Sequence, residues 1–228
     1  MKLYEKITEE MRSKCVRFHS NDNISEFVEG HLDDLIDEAS QECEKFLRAL
    51  LIDVEEDPNA IDTARRIAKM YYKEIMSGRY DRDPKITSFP NESGYSYDGM
   101  IVVRAEIKSI CSHHHKDVTG VAYIGVVPGE EVIGLSKYIR IAQHCARRGT
   151  LQEQLTTDIA NAIAKACKTD NVAVYIIAKH GCVSCRGVGQ SNSNTQTAVL
   201  YGGFKTDPTL RNEFYSNVNI QTQLEAGK

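Results

Sequence analysis

At 228 residues the chain can bury an ordinary core as one large domain, or a domain with an appendage, and is too short for two large ones. Lysine and arginine number 28 against 32 acidic residues, a net charge of -4, and 41% of residues are hydrophobic; this globular composition excludes disorder, and its sign argues against direct nucleic-acid binding. No apolar run approaches the roughly 18 residues of a membrane helix, and the opening MKLYEKITEEMRSKC is too charged for a secretory signal, so a cytoplasmic protein with no membrane partner is expected. Seven cysteines without such a signal point to metal ligation or catalysis rather than a disulfide framework.

Along the chain, Phe27, Val28, Leu32, Leu35, Ile36, Phe46, Leu47, Leu50 and Leu51 recur at helical spacing among acidic residues, and Asn23 followed by Glu26 is a start signal; residues 24–51 read as one long amphipathic helix. A second helix is expected after Asp57-Pro58, through Ile67, Met70, Tyr71 and Ile75, to a stop at Gly78. Residues 79–98 are rich in turn formers and read as a loop. Strands are then expected over Met100–Ile110, Gly120–Val127 and Asn171–Ala178, with helices opening at Ser136 and Thr150 between the last two, and residues 188–197 as a polar loop. This order predicts an α+β fold, an antiparallel sheet with two helices on one face, preceded by N-terminal helices. The expected division is a helical region over 1–80 and the α+β domain over 81–228.

Two clusters carry the chemistry. Cys111-Ser112-His113-His114-His115 closes a predicted strand, and thiolate with imidazole suits zinc, against the alternative of a solvated histidine run. Cys182-x-x-Cys185, following His180 at the end of another strand, reads as zinc ligands, a redox pair or two small buried residues; the redox reading requires the pair to open a helix after a strand. One Cys/His pair and one Cys brought to a single ion leave a fourth position for water, the pattern of catalytic zinc, and the remaining histidines could move protons. Ser136, Lys137 and Arg140 in a first helical turn, with Arg186 beside the second cluster, make a phosphate site or a solvated face. Thr150-x-x-Glu153 has the form of a capping box.

The ordered motifs DTARRIAKMYYKEIMSG from Asp62, PKIT, the Cys-x-His-His run, VIGLSKYIRI, LQEQLT, NVAV, HGCVSCRGV, GGF and RNEF cover about two thirds of the chain. Together they resemble the type I GTP cyclohydrolases, zinc enzymes of the tunnelling fold (T-fold) that convert GTP to 7,8-dihydroneopterin triphosphate with loss of formate. The resemblance implies zinc on Cys111, His114 and Cys182, and proton transfer by His113 and His180. It implies triphosphate contacts from Ser136, Lys137, Arg140 and Arg186, with Arg66 reaching in from a neighbouring subunit of a homo-oligomer, a decamer of two pentamers. Gln152 and Glu153 would read the guanine edge; a carboxylate can accept from guanine N1–H and the 2-amino group. The triphosphate is a handle that is never cleaved, in keeping with the lack of a G-x-x-x-x-G-K-S/T loop. The product would serve pterin and folate synthesis or the 7-deazaguanine route. Ser112 stands where the family usually has Glu, His115 where it has an apolar residue and Ala64 where it has Pro. These departures keep a relative with altered purine nucleotide specificity, such as dGTP, and a non-catalytic zinc- and nucleotide-binding assembly as alternatives.

Overall fold

Gly30, with φ +79°, interrupts the long N-terminal helix that the apolar spacing suggests. A computed structural model describes residues 1–92 and 96–226. Its first compact unit is Met1–Arg82 with Arg147–Gly149, and its second is Asp83–Ala146 with the chain from Thr150 onward.

In the first unit α1 (Leu3–Ser13), α2 (Ser25–Val28) and α3 (Leu32–Ala49) pack Ile7, Met11, Ile24, Val28 and Leu35 into one cluster. The carboxylate of Glu38 on α3 accepts from the backbone N–H groups of Leu3 (2.7 Å) and Tyr4 (3.0 Å), so α3 satisfies amides that the first turn of α1 leaves without helical partners. The N-cap of α2 is Ile24 rather than Asn23; Asn23 lies one residue before it, its side-chain oxygen accepting from the Ser25 N–H at 3.1 Å while its amide donates to the carbonyls of Gly78 and Asp81. The next helix opens later than Asp57-Pro58, as α4 (Thr63–Met70), runs into a π-helical turn at Tyr71–Ile75 and gives way to α5 (Ser77–Tyr80), where Gly78 is buried rather than terminal.

The second unit holds β1 (Ser88–Pro90), β2 (Ile101–Ile110), β3 (Asp117–Val126), β4 (Glu131–Ile133), α6 (Leu135–Ala146), α7 (Gln152–Cys167), β5 (Val172–His180), α8 (Gly181–Ser184), β6 (Thr195–Leu200), α9 (Gly203–Thr206) and α10 (Pro208–Ala226). Strands β2-β3-β5-β6 form one antiparallel sheet in that order, and β1 pairs with β4. The expected 79–98 loop therefore carries a short strand, its residues 93–95 lying outside those described, and the expected 188–197 loop runs into β6.

Strand alternation explains the layering. Ala105 and Ile107 of β2, Ala122, Ile124 and Val126 of β3, and Val172, Val174, Ile176 and Ala178 of β5 point into a core with Tyr138 and Ile141 of α6 and Leu155, Ile159 and Ile163 of α7. The intervening residues Val121, Tyr123, Ala173, Tyr175 and Ile177 face the other way, against Phe204 of α9 and Phe214 and Val218 of α10. The fold is thus a mixture of helices and antiparallel sheet with the C-terminal helices on the second face, a layer the sequence pattern does not disclose. Among the described residues no helix is long and apolar enough to cross a membrane.

Candidate active site

The sheet register brings the two cysteine clusters to one end. Ile110 pairs with Asp117 across the β2–β3 hairpin, and Val118, one residue on, pairs with His180 at the end of β5. The hairpin loop is closed by the Cys111 N–H donating to the Lys116 carbonyl (2.9 Å) and the His115 N–H donating to the Cys111 carbonyl (2.8 Å), with His115 at φ +50°. Gly181 lets α8 turn tightly here, since a Cβ would lie 3.1 Å from the Asp117 carbonyl oxygen. As a result the ligand atoms of Cys111, His180 and Cys182 all lie within 4.8 Å of one another.

Cys111 is buried, while Cys182 and His180 are half-buried. The Cys182 thiol is pushed above its ordinary pKa first by burial and then by the neighbouring Cys111, with Arg186 opposing. Two crowded thiols beside an imidazole form a soft donor set; a divalent cation would neutralise the thiolates that burial disfavours, and zinc fits this set. Burial lowers the pKa of His180, and the charge of Glu153 acts against that.

His114 lies elsewhere in this arrangement: its Nε2 is 3.0 Å from a guanidinium nitrogen of Arg186, which can only donate. His113 is exposed and edge-on to His114, with ring centroids 6.4 Å apart. The geometry therefore joins Cys111, Cys182 and His180, and holds His114 with Arg186.

Ser136, Lys137 and Arg140 occupy the first two turns of α6, with Ser136 and Arg140 exposed and Lys137 half-buried. Arg66 belongs to the first unit, where it is exposed and pairs with Asp62 at 3.4 Å. Helix α7 starts from Leu151 without a side-chain cap, so the Thr150–Glu153 capping box does not form; Thr150 is buried and Glu153 is exposed. The Cys-x-x-Cys pair does follow a strand, with Cys182 in the single turn of α8 and Cys185 capping its C-terminus, but Cys185 is exposed and its Sγ donates to the Gly181 carbonyl at 2.6 Å.

Gln152, expected at the guanine edge, is 3% exposed and bonded within the protein. Its amide nitrogen donates toward Ile176 O (3.3 Å), Thr195 O (3.1 Å) and Thr197 Oγ1 (3.0 Å), and its oxygen is 2.7 Å from His180 Nε2. Thr156 and Thr197 complete this network, and sequence reasoning missed both. Thr197 sits in a stretch whose polar composition resembles a loop, because an edge strand is held by backbone bonds that leave no hydrophobic alternation.

The family model described as GTP cyclohydrolase I matches residues 40–219. The GTP cyclohydrolase 1 of Shewanella loihica is 41% identical over 175 residues, covering 76% of this chain and 80% of its own. That of Shewanella denitrificans is 44% identical over 160 residues, covering 69% and 73%. Among solved structures, the archaeosine synthase QueF-Like in the apo form has a TM-score of 0.38 at 14% identity over 46% of this chain and 94% of that one, too distant to bear on the assignment. A family match over most of the length, with relatives so similar across more than two thirds of both partners, places the chain: it belongs to the GTP cyclohydrolase I family.

Proposed function

We propose that this chain hydrolyses GTP at C8, giving 7,8-dihydroneopterin triphosphate and formate. The observation that carries the reading, beside family membership, is the meeting of Cys111, Cys182 and His180 at one sheet end. Cys111, His114 and Cys182 would hold zinc, His114 offering the Nε2 lone pair that Arg186 engages here. Bound there, zinc supplies Lewis acidity and a water acidic enough to act as nucleophile near neutral pH.

The protein's own groups do the rest. His180 and His113 carry protons to and from the opening imidazole ring of the purine. The exposed Glu153 carboxylate accepts from guanine N1–H and the 2-amino group, whereas the Gln152 amide is bonded inside the protein. Ser136, Lys137, Arg140 and Arg186 bind the triphosphate, with Arg66 contributed by a neighbouring subunit of a homo-oligomer, decameric as in the family. Binding energy from this unreacting handle orients the purine. Within the mixed α and antiparallel architecture we assign residues 81–228 to a tunnelling-fold catalytic domain and residues 1–80 to a helical region.

Incubation with GTP and with dGTP, following formate release and pterin fluorescence, tests the reading. Formate and pterin from GTP are expected. Faster turnover of dGTP would shift the substrate, and absence of both products from either nucleotide would overturn the activity.

A further inference from the structure

The side chain of Gln152 can be oriented without ambiguity. Its nitrogen faces two backbone carbonyl oxygens, those of Ile176 and Thr195, which can only accept. A directed ring of bonds agrees: Gln152 Nε2 donates to Thr197 Oγ1, Thr197 donates to Thr156 Oγ1 (2.7 Å), and Thr156 donates to the Gln152 backbone carbonyl (2.7 Å). Reversing the amide would set its oxygen against both carbonyls in a buried site, where an unpaired acceptor costs about 1–3 kcal/mol. The Gln152 oxygen must therefore face His180 Nε2, at 2.7 Å, and an amide oxygen can only accept.

We propose that Gln152 is a positioning residue that locks His180 as the Nε2–H tautomer and leaves Nδ1 as the one nitrogen with a lone pair for the site. A neutral imidazole carries one N–H, so donating it to Gln152 decides which atom of His180 exchanges protons with substrate. This rests on the reading of His180 as a proton-transfer group, and it assigns Gln152 a role distinct from reading guanine. The second hydrogen-bonded shell is what holds an imidazole in one orientation and one tautomer.

Neutron diffraction from perdeuterated crystals grown near pH 8, where an ordinary imidazole of pKa about 6.5 is neutral, reads the proton directly. Density for deuterium on His180 Nε2 and none on Nδ1 is expected; deuterium on Nδ1 alone overturns the proposal whatever the activity. In Gln152→Met, which fills the space and offers no amide oxygen, His180 is expected to lose its single tautomer. Turnover of GTP should fall on the order of a hundredfold, the scale of a general acid–base contribution, with KM within about twofold of wild type and zinc content intact. A raised KM with kcat preserved would instead make Gln152 a guanine contact and sink the positioning role. If Gln152→Met does not fold, the wild-type neutron map alone decides. A locked Nε2–H in a protein that makes no pterin would leave this assignment standing and remove the cyclohydrolase reading.

Discussion

Arg186 donates to Nε2 of His114 at 3.0 Å across 72 residues of sequence, tying the residue after the second cysteine pair to the hairpin of the first. The same guanidinium is a proposed triphosphate contact, so it has two claims on its charge. Removing one charge-assisted hydrogen bond costs about 1.5–3 kcal/mol, roughly a tenfold to hundredfold loss of binding. Arg186→Ala is expected to raise KM for GTP by about that factor, with a smaller change in kcat. Steady-state kinetics measure both, and an unchanged KM would remove Arg186 from the triphosphate site.

Metal analysis separates the two histidines that compete for the third ligand position. Cys111→Ala, Cys182→Ala and His114→Ala should each lose the zinc, about one per chain in the parent protein, whereas His180→Gln should keep the metal and lose turnover. Cys185→Ala should retain zinc, because its thiol is exposed and bonded to the Gly181 carbonyl. Loss of zinc in His180→Gln with retention in His114→Ala would move the ligand to the histidine whose ring already lies near both thiols.

Packing on the second face of the sheet is tested through Phe214, which is fully buried and meets Phe204 edge-on at 5.8 Å. Phe214→Ala is expected to destabilise the fold by about 3–5 kcal/mol. A Cβ on Gly125 would lie 2.6 Å from the Phe214 ring, so Gly125→Ala should also destabilise. The double variant should cost less than the sum of the two, since removing the ring removes the collision. Urea denaturation of the four proteins gives the coupling, and strict additivity would mean that the two positions do not touch.

In the first unit, Tyr72 and Tyr80 stack at 4.5 Å between ring centroids. Burial, followed by the neighbouring Tyr80, pushes the Tyr72 phenol up to about 12, and burial also raises Tyr80. A raised phenol pKa means that the folded state keeps a proton the unfolded chain loses above about pH 10. The contribution is therefore complete below that pH and is lost between about pH 10 and 12. Thermal unfolding of the wild type should weaken through this window, and Tyr72→Phe should flatten the dependence; equal slopes would assign the alkaline loss to other groups.

Much of the second unit was legible because burial leaves a pattern. Val172 to Ala178 is an apolar run because both faces of β5 are covered, and α6 and α7 show helical periodicity because each buries one stripe. The cysteines and histidines also marked themselves, since few structural roles place such residues at two strand ends. Elements whose order comes from backbone pairing or from a single dihedral left weaker traces: β6 with its polar residues, β1 in a turn-rich stretch, and the break at Gly30 within an otherwise continuous apolar stripe.

What the sequence determined by itself was the donor set, the family motifs and the succession of the long central elements, β2, β3, α6, α7 and β5, because these depend on residue type and near-neighbour spacing. Only the tertiary structure decided which donors meet. The antiparallel register sets Val118 opposite His180, and with it Cys111 beside Cys182, a relation between positions some seventy residues apart that no local spacing encodes. It also turned Gln152 inward, where the carbonyls of Ile176 and Thr195 demand its amide hydrogens and leave its oxygen for His180. The physical reason is that a side chain's partners are set by where other strands deliver unpaired donors and acceptors, and a buried amide must satisfy them wherever they lie.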